Sequence, residues 1–200
     1  MANLTPEVPN FSITKRVLLQ DGTHQFVEMT KEQLFDDKRV VIFGLPGAFT
    51  PTCSTQQLPG FEDLYYDFRD SGIDDIYCIT VNDTFVCNEW ALNQGLVNVK
   101  VIPDGSAEFT IKMGMDVRKD NLGFGIRSWR YAAIVDNGVV VQDFIEDGFA
   151  DNVEGDPYEV STPENVLDNV KAYGWTAVSK EGKHIDLEFS DSTDVKENFS

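Results

Sequence analysis

Short apolar runs alternate along the chain with stretches whose apolar residues recur at helical spacing. Residues 39–43, 76–81 and 97–102 form such runs, and they are rich in the β-branched residues that favour buried strands. A stretch with helical spacing follows each of them. The resulting order of strand, helix, strand, helix and strand predicts a parallel α/β sheet.

Two further pairs of strands have the pattern of antiparallel hairpins. An Asn-Gly turn joins residues 131–135 to 139–145, and an Asp-Gly turn joins 16–20 to 24–28. Both dipeptides accept the positive φ angles that tight hairpin turns require. Because the parallel units are followed by an antiparallel hairpin, we predict a thioredoxin-like α/β fold. It has a central mixed sheet flanked by helices and an N-terminal β-hairpin.

The helical pattern after the first strand begins near Pro51 and places Leu58, Phe61 and Phe68 on one face. Pro59 interrupts this pattern, because proline lacks the N–H that an interior helical residue donates and its ring collides with the preceding turn. The sequence therefore predicts a kink at Pro59.

A last helix is expected to begin at Pro163, which suits the first helical position, and to end at Gly174. Residues 1–173 are therefore expected to form one domain. Residues 174–200 differ in character, and we expect a C-terminal extension with a small hairpin around 181–183 and a frayed polar tail.

The charge of the chain limits its partners. Its 200 residues include 16 basic and 34 acidic side chains, which give a formal net charge of −18. Such a charge repels polyanions and argues against nucleic acid and anionic lipid as partners. The chain shows neither a secretory leader pattern nor an apolar run of membrane-spanning length, so we expect a cytoplasmic protein without membrane attachment.

Three cysteines, Cys53, Cys78 and Cys87, are present in the chain. Their number is odd and no CxxC pair occurs, so the pattern fits neither a disulfide scaffold nor a zinc site. We therefore expect no bound metal, and thiols that are reactive or buried in a reducing compartment.

Cys53 follows the first predicted strand by a short loop. Thr50 suits the N-cap because its hydroxyl can accept from an unpaired backbone N–H, and Pro51 suits the first helical position. Cys53 is then the third helical residue, near the positive end of the helix dipole, which favours the nucleophilic thiolate. The alternative from local geometry is a small buried apolar residue. Both interpretations stay open at this level.

The surrounding segment, PGAFTPTCS at residues 46–54, resembles the active-site signature of the peroxiredoxins in their type-5 (atypical, type II) branch. The resemblance implies that Cys53 is the peroxidatic nucleophile that attacks the O–O bond of a peroxide. It also implies that Thr50 orients the peroxide through its hydroxyl and that Pro46 shields the pocket.

A thiolate that cleaves a peroxide needs a nearby cation, and the segment GIRSWRYAAIVDNG at residues 125–138 contains two arginines. By themselves, Arg127 and Arg130 are more simply interpreted as surface residues that balance local acids. The segment, however, is similar to the peroxiredoxin segment whose arginine contacts the cysteine sulfur and the peroxide. The matching residue is Arg130, and Arg127 has a supporting role.

The resemblance covers about residues 5–173, so that 1–173 would be a peroxiredoxin domain. It is greatest to the peroxiredoxin part of bacterial hybrid peroxiredoxin-glutaredoxins, and 174–200 stand in place of their glutaredoxin module. The resemblance implies a thiol peroxidase for hydrogen peroxide and alkyl hydroperoxides, without a bound cofactor. It also implies a homodimer that pairs near the active site.

The atypical two-cysteine peroxiredoxins, which the chain resembles, carry a resolving cysteine in a late loop, and residues 144–163, which match that loop, contain no cysteine. We therefore expect an external thiol, with glutathione and glutaredoxin favoured, to reduce the sulfenic acid. Cys78 lies in a predicted strand, where packing is the simpler role, but it is a candidate second thiol for thioredoxin-dependent recycling. The alternative function is a peroxide sensor or redox relay that forms mixed disulfides with a partner. A thioredoxin-like reductase is disfavoured because the Cys53 segment has no second thiol.

Overall fold

The computed structural model of the chain describes residues 4–175. Nearly all of the expected extension at 174–200, including its hairpin, lies outside the described residues. The strands are β1 (Ser12–Leu18), β2 (His24–Thr30), β3 (Arg39–Leu45), β4 (Asp75–Thr80), β5 (Lys100–Pro103), β6 (Asp116–Arg118), β7 (Ile126–Ser128), β8 (Tyr131–Asp136) and β9 (Val139–Ile145). The α-helices are α1 (Lys31–Phe35), α2 (Leu58–Asp63), α3 (Tyr65–Asp70), α4 (Thr84–Gln94), α5 (Glu108–Lys112) and α6 (Pro163–Ala172).

Five strands form the central sheet in the order β5-β4-β3-β8-β9. The pairs β3-β4 and β4-β5 are parallel, whereas β8 pairs antiparallel with both β3 and β9. This mixed sheet, flanked by helices and accompanied by an N-terminal hairpin, confirms the predicted thioredoxin-like fold.

The central strands are buried on both faces of the sheet, which explains their continuous apolar sequences. In β3, Val41 and Phe43 pack into one hydrophobic cluster, whereas Val40 and Ile42 pack into another on the opposite face. Cys53 belongs to the first cluster. The helical segment that carries it is therefore held against the sheet by apolar burial.

The predicted Asn-Gly hairpin is confirmed between β8 and β9, where Asn137 has φ 49° and Gly138 has φ 79°. The N-terminal hairpin is also present, but β1 begins and ends earlier than predicted. The Leu19 amide donates to the Thr23 carbonyl over 2.8 Å, so Leu19 belongs to the turn.

A small antiparallel pair, β6-β7, was not predicted from the sequence. Each of these strands has only three residues, which is too short for an alternating pattern to be recognised. The Trp129 amide after β7 donates to the Met115 carbonyl over 2.7 Å, which ties this segment to the chain before β6. The pair thereby fixes the segment that carries Arg127 and Arg130.

The predicted kink at Pro59 takes a different form. A π-helical turn, Cys53–Gln57, directly precedes α2, and the Leu58 amide donates to the Cys53 carbonyl. The helix breaks later, at Leu64, between α2 and α3. An interior proline collides with the carbonyl four residues earlier, and the irregularity falls on the π turn that directly precedes Pro59.

Within residues 4–175, no helix has the length and apolar character that crossing a membrane requires.

Candidate active site

The loop between β3 and the π turn brings the chain sharply onto the Cys53 helix. Pro46 and Gly47 are buried at its start, and Phe49 has φ 61°, a left-handed conformation that a bulky residue rarely adopts. The Ser54 amide donates to the Thr50 carbonyl over 3.0 Å, which makes Thr50 the residue from which the helix begins. The loop thus holds a strained backbone beside the candidate nucleophile.

The Thr50 hydroxyl does not cap the helix in the way the sequence suggested. It donates its proton to the Gly47 carbonyl over 2.7 Å. Because the proton is committed to this bond, the oxygen presents its lone pairs and can accept the O–H of a bound hydroperoxide.

Cys53 is fully buried, and so is the guanidinium that faces it. Both Nη atoms of Arg130 lie 3.6 Å from the Cys53 Sγ. Arg130 itself is only 1% exposed, so little water screens its charge from the sulfur. A charged guanidinium at this distance is placed to stabilise negative charge on the sulfur or on an oxygen bound beside it.

Three other side chains complete the surroundings of Arg130. Its Nη1 donates to Gln57 Oε1, its Nη2 donates to Asp156 Oδ1, and its guanidinium carbon lies 5.5 Å from the centre of the Tyr158 ring. Burial alone lowers the pKa of Arg130, but the neighbouring Cys53 and Asp156 raise it above its ordinary value. Arg130 therefore stays charged at any physiological pH.

The loop that carries Asp156 and Tyr158 is anchored by one buried carboxylate. Glu146, at the end of β9, is 2% exposed and accepts hydrogen bonds from the amides of Glu159, Val160 and Ser161. The Ser161 hydroxyl also donates to Glu146, over 2.7 Å. The loop that bears Asp156 is thus held, a few residues further on, by an anchor outside the Cys53 helix.

Arg127 supports the loop rather than the sulfur. Its Nη1 lies 3.5 Å from the Pro46 carbonyl oxygen and 3.3 Å from Asn82 Oδ1. Asn82 Oδ1 also accepts from the Ala48 amide over 2.9 Å. A Cβ on Gly47 would lie 2.7 Å from Arg127 Nη1, so a side chain there would push the end of Arg127 away from the loop. Burial lowers the pKa of Arg127, whose described contacts here are with neutral acceptors.

The other two thiols lie in the same apolar cluster as Cys53. Cys78 is fully buried in β4, and its pKa is raised well above the ordinary value by burial first and by Cys87 and Cys53 next. Burial raises the pKa of Cys87 to about 12. Both thiols are therefore protonated at neutral pH. All three cysteines are free.

The structure brings the predicted residues Cys53, Thr50, Pro46 and Arg130 to one place at the carboxyl end of β3, with Arg127 behind the loop. Sequence reasoning missed Gln57, Asp156 and Glu146. Gln57 stands four residues after Cys53, a spacing that does signal a shared helical face. Asp156 and Glu146 lie in segments 155–161 and 144–146, which share the family resemblance, but no periodicity or spacing pairs them with the site. Within residues 4–175, no group of three or more His, Cys, Asp or Glu side chains is placed to hold a metal ion.

A buried cysteine that begins a helix after a central strand and faces a guanidinium, on a thioredoxin-like sheet, defines a thiol-based redox protein. Comparison with known proteins narrows this class. Residues 5–161 match the family model described as Redoxin. The chain belongs to the redoxin family, and it is a peroxiredoxin, a peroxidase enzyme.

Relatives agree with this assignment. A peroxiredoxin of Rhizobium etli is 61% identical over 149 residues, which cover 74% of this chain and 83% of that protein. The hybrid peroxiredoxin hyPrx5 of Haemophilus influenzae is 50% identical over 72% of this chain, but the match covers only 58% of that longer protein. The crystal structure of a Plasmodium falciparum antioxidant protein, a 1-Cys peroxiredoxin, superposes with a TM-score of 0.78 at 36% identity, covering 86% of this chain and 99% of that one.

Proposed function

We propose that this peroxiredoxin reduces hydrogen peroxide and alkyl hydroperoxides with Cys53 as its peroxidatic cysteine. The observation that carries the proposal is the buried pair of guanidinium nitrogens at 3.6 Å from the Cys53 Sγ. The Cys53 thiolate attacks the terminal peroxide oxygen, an S–O bond forms and the O–O bond breaks. Cysteine is oxidised to sulfenic acid, and the leaving oxygen takes a proton and departs as water or an alcohol.

Arg130 acts twice in this step. It stabilises the thiolate before attack, and it stabilises the charge that develops on the leaving oxygen in the transition state. The Thr50 oxygen, whose own proton is held by Gly47, orients the peroxide by accepting its O–H. Pro46, buried at the loop, shields the pocket from water.

Arg127 has a supporting role in the proposal. Through the Pro46 carbonyl and Asn82 it braces the loop that leads to Thr50. A displacement of about 1 Å in such a loop can cost about 100-fold in rate, so this brace serves the geometry of the reaction although it does not touch the sulfur.

An external thiol then restores the enzyme. The first thiol condenses with the Cys53 sulfenic acid, which releases water and forms a mixed disulfide, and a second thiol attacks this disulfide and regenerates Cys53. Glutathione with glutaredoxin is the favoured reductant. The proposal is supported by the burial of Cys78 and Cys87, whose raised pKa values keep them from serving as resolving thiolates. The cycle uses no bound metal or organic cofactor.

Two features bear on the assembly and location of the enzyme. Phe49, Leu122 and Phe124 are exposed large apolar side chains on the segments that surround the site. We assign this surface to a homodimer contact, because such side chains gain from being covered. Three unpaired cysteines suit a reducing compartment, and we assign the protein to the cytoplasm.

The function is tested by replacing Cys53 with serine and following peroxide consumption with glutathione and glutaredoxin, or with thioredoxin, as electron donor. We expect C53S to abolish turnover with either donor, whereas C87A, a matched change at another buried cysteine, keeps it. Sustained peroxide consumption by C53S would refute the assignment. Faster turnover with thioredoxin than with glutathione and glutaredoxin would refute the proposed reductant only.

A further inference from the structure

The partners that hold Arg130 come from two independent parts of the chain. Cys53 and Gln57 are both on the π turn, whereas Asp156 is on the loop that Glu146 anchors. Asp156 is the ion-pair partner of Arg130 among residues 4–175. Arg130 is 1% exposed, so its charge needs a counter-ion more than that of a surface arginine does.

One of these partners changes its charge during the proposed reaction. The Cys53 thiolate is an anion beside Arg130, but the sulfenic acid that it becomes is neutral. A reducing thiol can reach the sulfenic acid only when the buried turn opens, and opening removes Cys53 and Gln57 from Arg130 together. Asp156 lies on a different segment, so neither oxidation of Cys53 nor opening of its turn requires the contact between Asp156 and Arg130 to break.

We propose that Asp156 is a positioning residue that keeps the Arg130 guanidinium in place beside Cys53 while the cysteine changes its charge and its turn opens and closes. This inference rests on the proposed function, since it concerns the same cycle. The Asp156 side chain is 38% exposed, so the ion pair lies at the boundary between the buried site and solvent.

The anchoring of the loop explains how Asp156 can hold the Arg130 guanidinium in place. Glu146 receives three consecutive backbone amides and the Ser161 hydroxyl, all from the segment that follows Asp156. The Glu146 amide in turn donates to the Arg130 carbonyl over 3.2 Å. The backbone of Arg130 and the loop that bears its counter-ion are thus fixed to the same residue.

The experiment measures the second-order rate constant for oxidation of Cys53 by hydrogen peroxide, by stopped-flow fluorescence on the reduced protein. We expect Asp156→Asn, which keeps an acceptor oxygen but loses the charge, to lower the rate constant about tenfold, and Asp156→Ser to lower it further. Glu154→Gln, the same charge change two residues away on an exposed side chain, should leave it unchanged. Far-UV circular dichroism confirms that each variant is folded.

A second measurement separates positioning from a structural role. In an Arg130→Met background, Asp156→Asn should cause no further loss, because the group that it positions is absent. A structural role would lower the rate by the same factor in both backgrounds, and that result would overturn the proposal. A D156N rate constant within about twofold of E154Q, or above it, would overturn it as well.

The inference and the proposed function fail in different ways. If C53S still consumes peroxide, the function is wrong. If Cys53 is required but D156N behaves like E154Q, only the role of Asp156 is wrong.

Discussion

Cys53 and Cys78 are both fully buried and belong to the same apolar cluster, yet their surroundings differ in charge and in backbone structure. Cys53 lies on a π turn with two guanidinium nitrogens at 3.6 Å. Cys78 lies in the middle of β4, where Phe43 and Val101 flank it on the neighbouring strands. Burial raises the pKa of the Cys78 thiol well above its ordinary value.

The comparison shows that burial alone does not decide whether a cysteine is a nucleophile. A guanidinium in the same buried surroundings places a positive charge where the thiolate and the leaving oxygen would carry negative charge. The backbone matters as well, because a first helical turn can open locally whereas a central strand is held by hydrogen bonds on both sides. Of the two thiols, only Cys53 combines a nearby cation with a backbone that can expose the oxidised sulfur.

The largest loss of reactivity is expected from Arg130→Met. This change removes the cation beside Cys53 and leaves its thiol in apolar surroundings like those of Cys78. Oxidation of Cys53 by hydrogen peroxide should slow by about 100- to 1,000-fold, since both the thiolate and the transition state lose their cation. Rapid-mixing kinetics measure the rate. Arg39→Met, at a half-buried arginine that pairs with Asp136 at the other end of β3, is the control and should keep the rate. A loss below about threefold for Arg130→Met would contradict the role of the guanidinium.

A smaller effect is expected at Thr50, in the loop that leads to Cys53. Thr50→Val keeps the size of the side chain but removes the oxygen, and should slow oxidation by about 10- to 100-fold. Thr50→Ser, which retains the hydroxyl, should recover most of the rate. Equal rates for the Val and Ser variants would mean that the hydroxyl does not orient the peroxide.

The smallest effect on activity is expected from Cys78→Ala. Turnover with glutathione and glutaredoxin should stay within about twofold of the unchanged protein, while the free energy of unfolding falls by about 1–2 kcal/mol because a buried sulfur is lost. Steady-state kinetics and urea unfolding measure the two quantities. If Cys78→Ala instead abolished turnover with thioredoxin but not with glutathione and glutaredoxin, Cys78 would be identified as a resolving thiol.

Much of the fold follows from local sequence. The apolar runs of β3 and β4 and the Asn137-Gly138 turn are long or specific enough to predict the sheet and its antiparallel hairpin. β6 and β7 are too short for such a pattern. Pro59 signalled an irregular helix, but its surroundings converted the expected kink into a π turn on the preceding residues.

The candidate site likewise contains some residues that local sequence predicts and others that it does not. Cys53 and Thr50 lie within one motif, so their proximity is local and predictable, and Arg130 was found only through the resemblance of its segment. The Asp156 contact joins residues 26 positions apart and depends on how the loop folds over Glu146. Interactions of this kind are set by tertiary structure, and no periodicity or short motif reports them.

The most direct test of the central claim is to treat the reduced protein with one equivalent of hydrogen peroxide in the presence of dimedone, which traps sulfenic acids, and to locate the adduct by peptide mass spectrometry. We expect the adduct on Cys53, with Cys78 and Cys87 unmodified. An adduct on Cys78 or Cys87 while Cys53 remains a free thiol would contradict it.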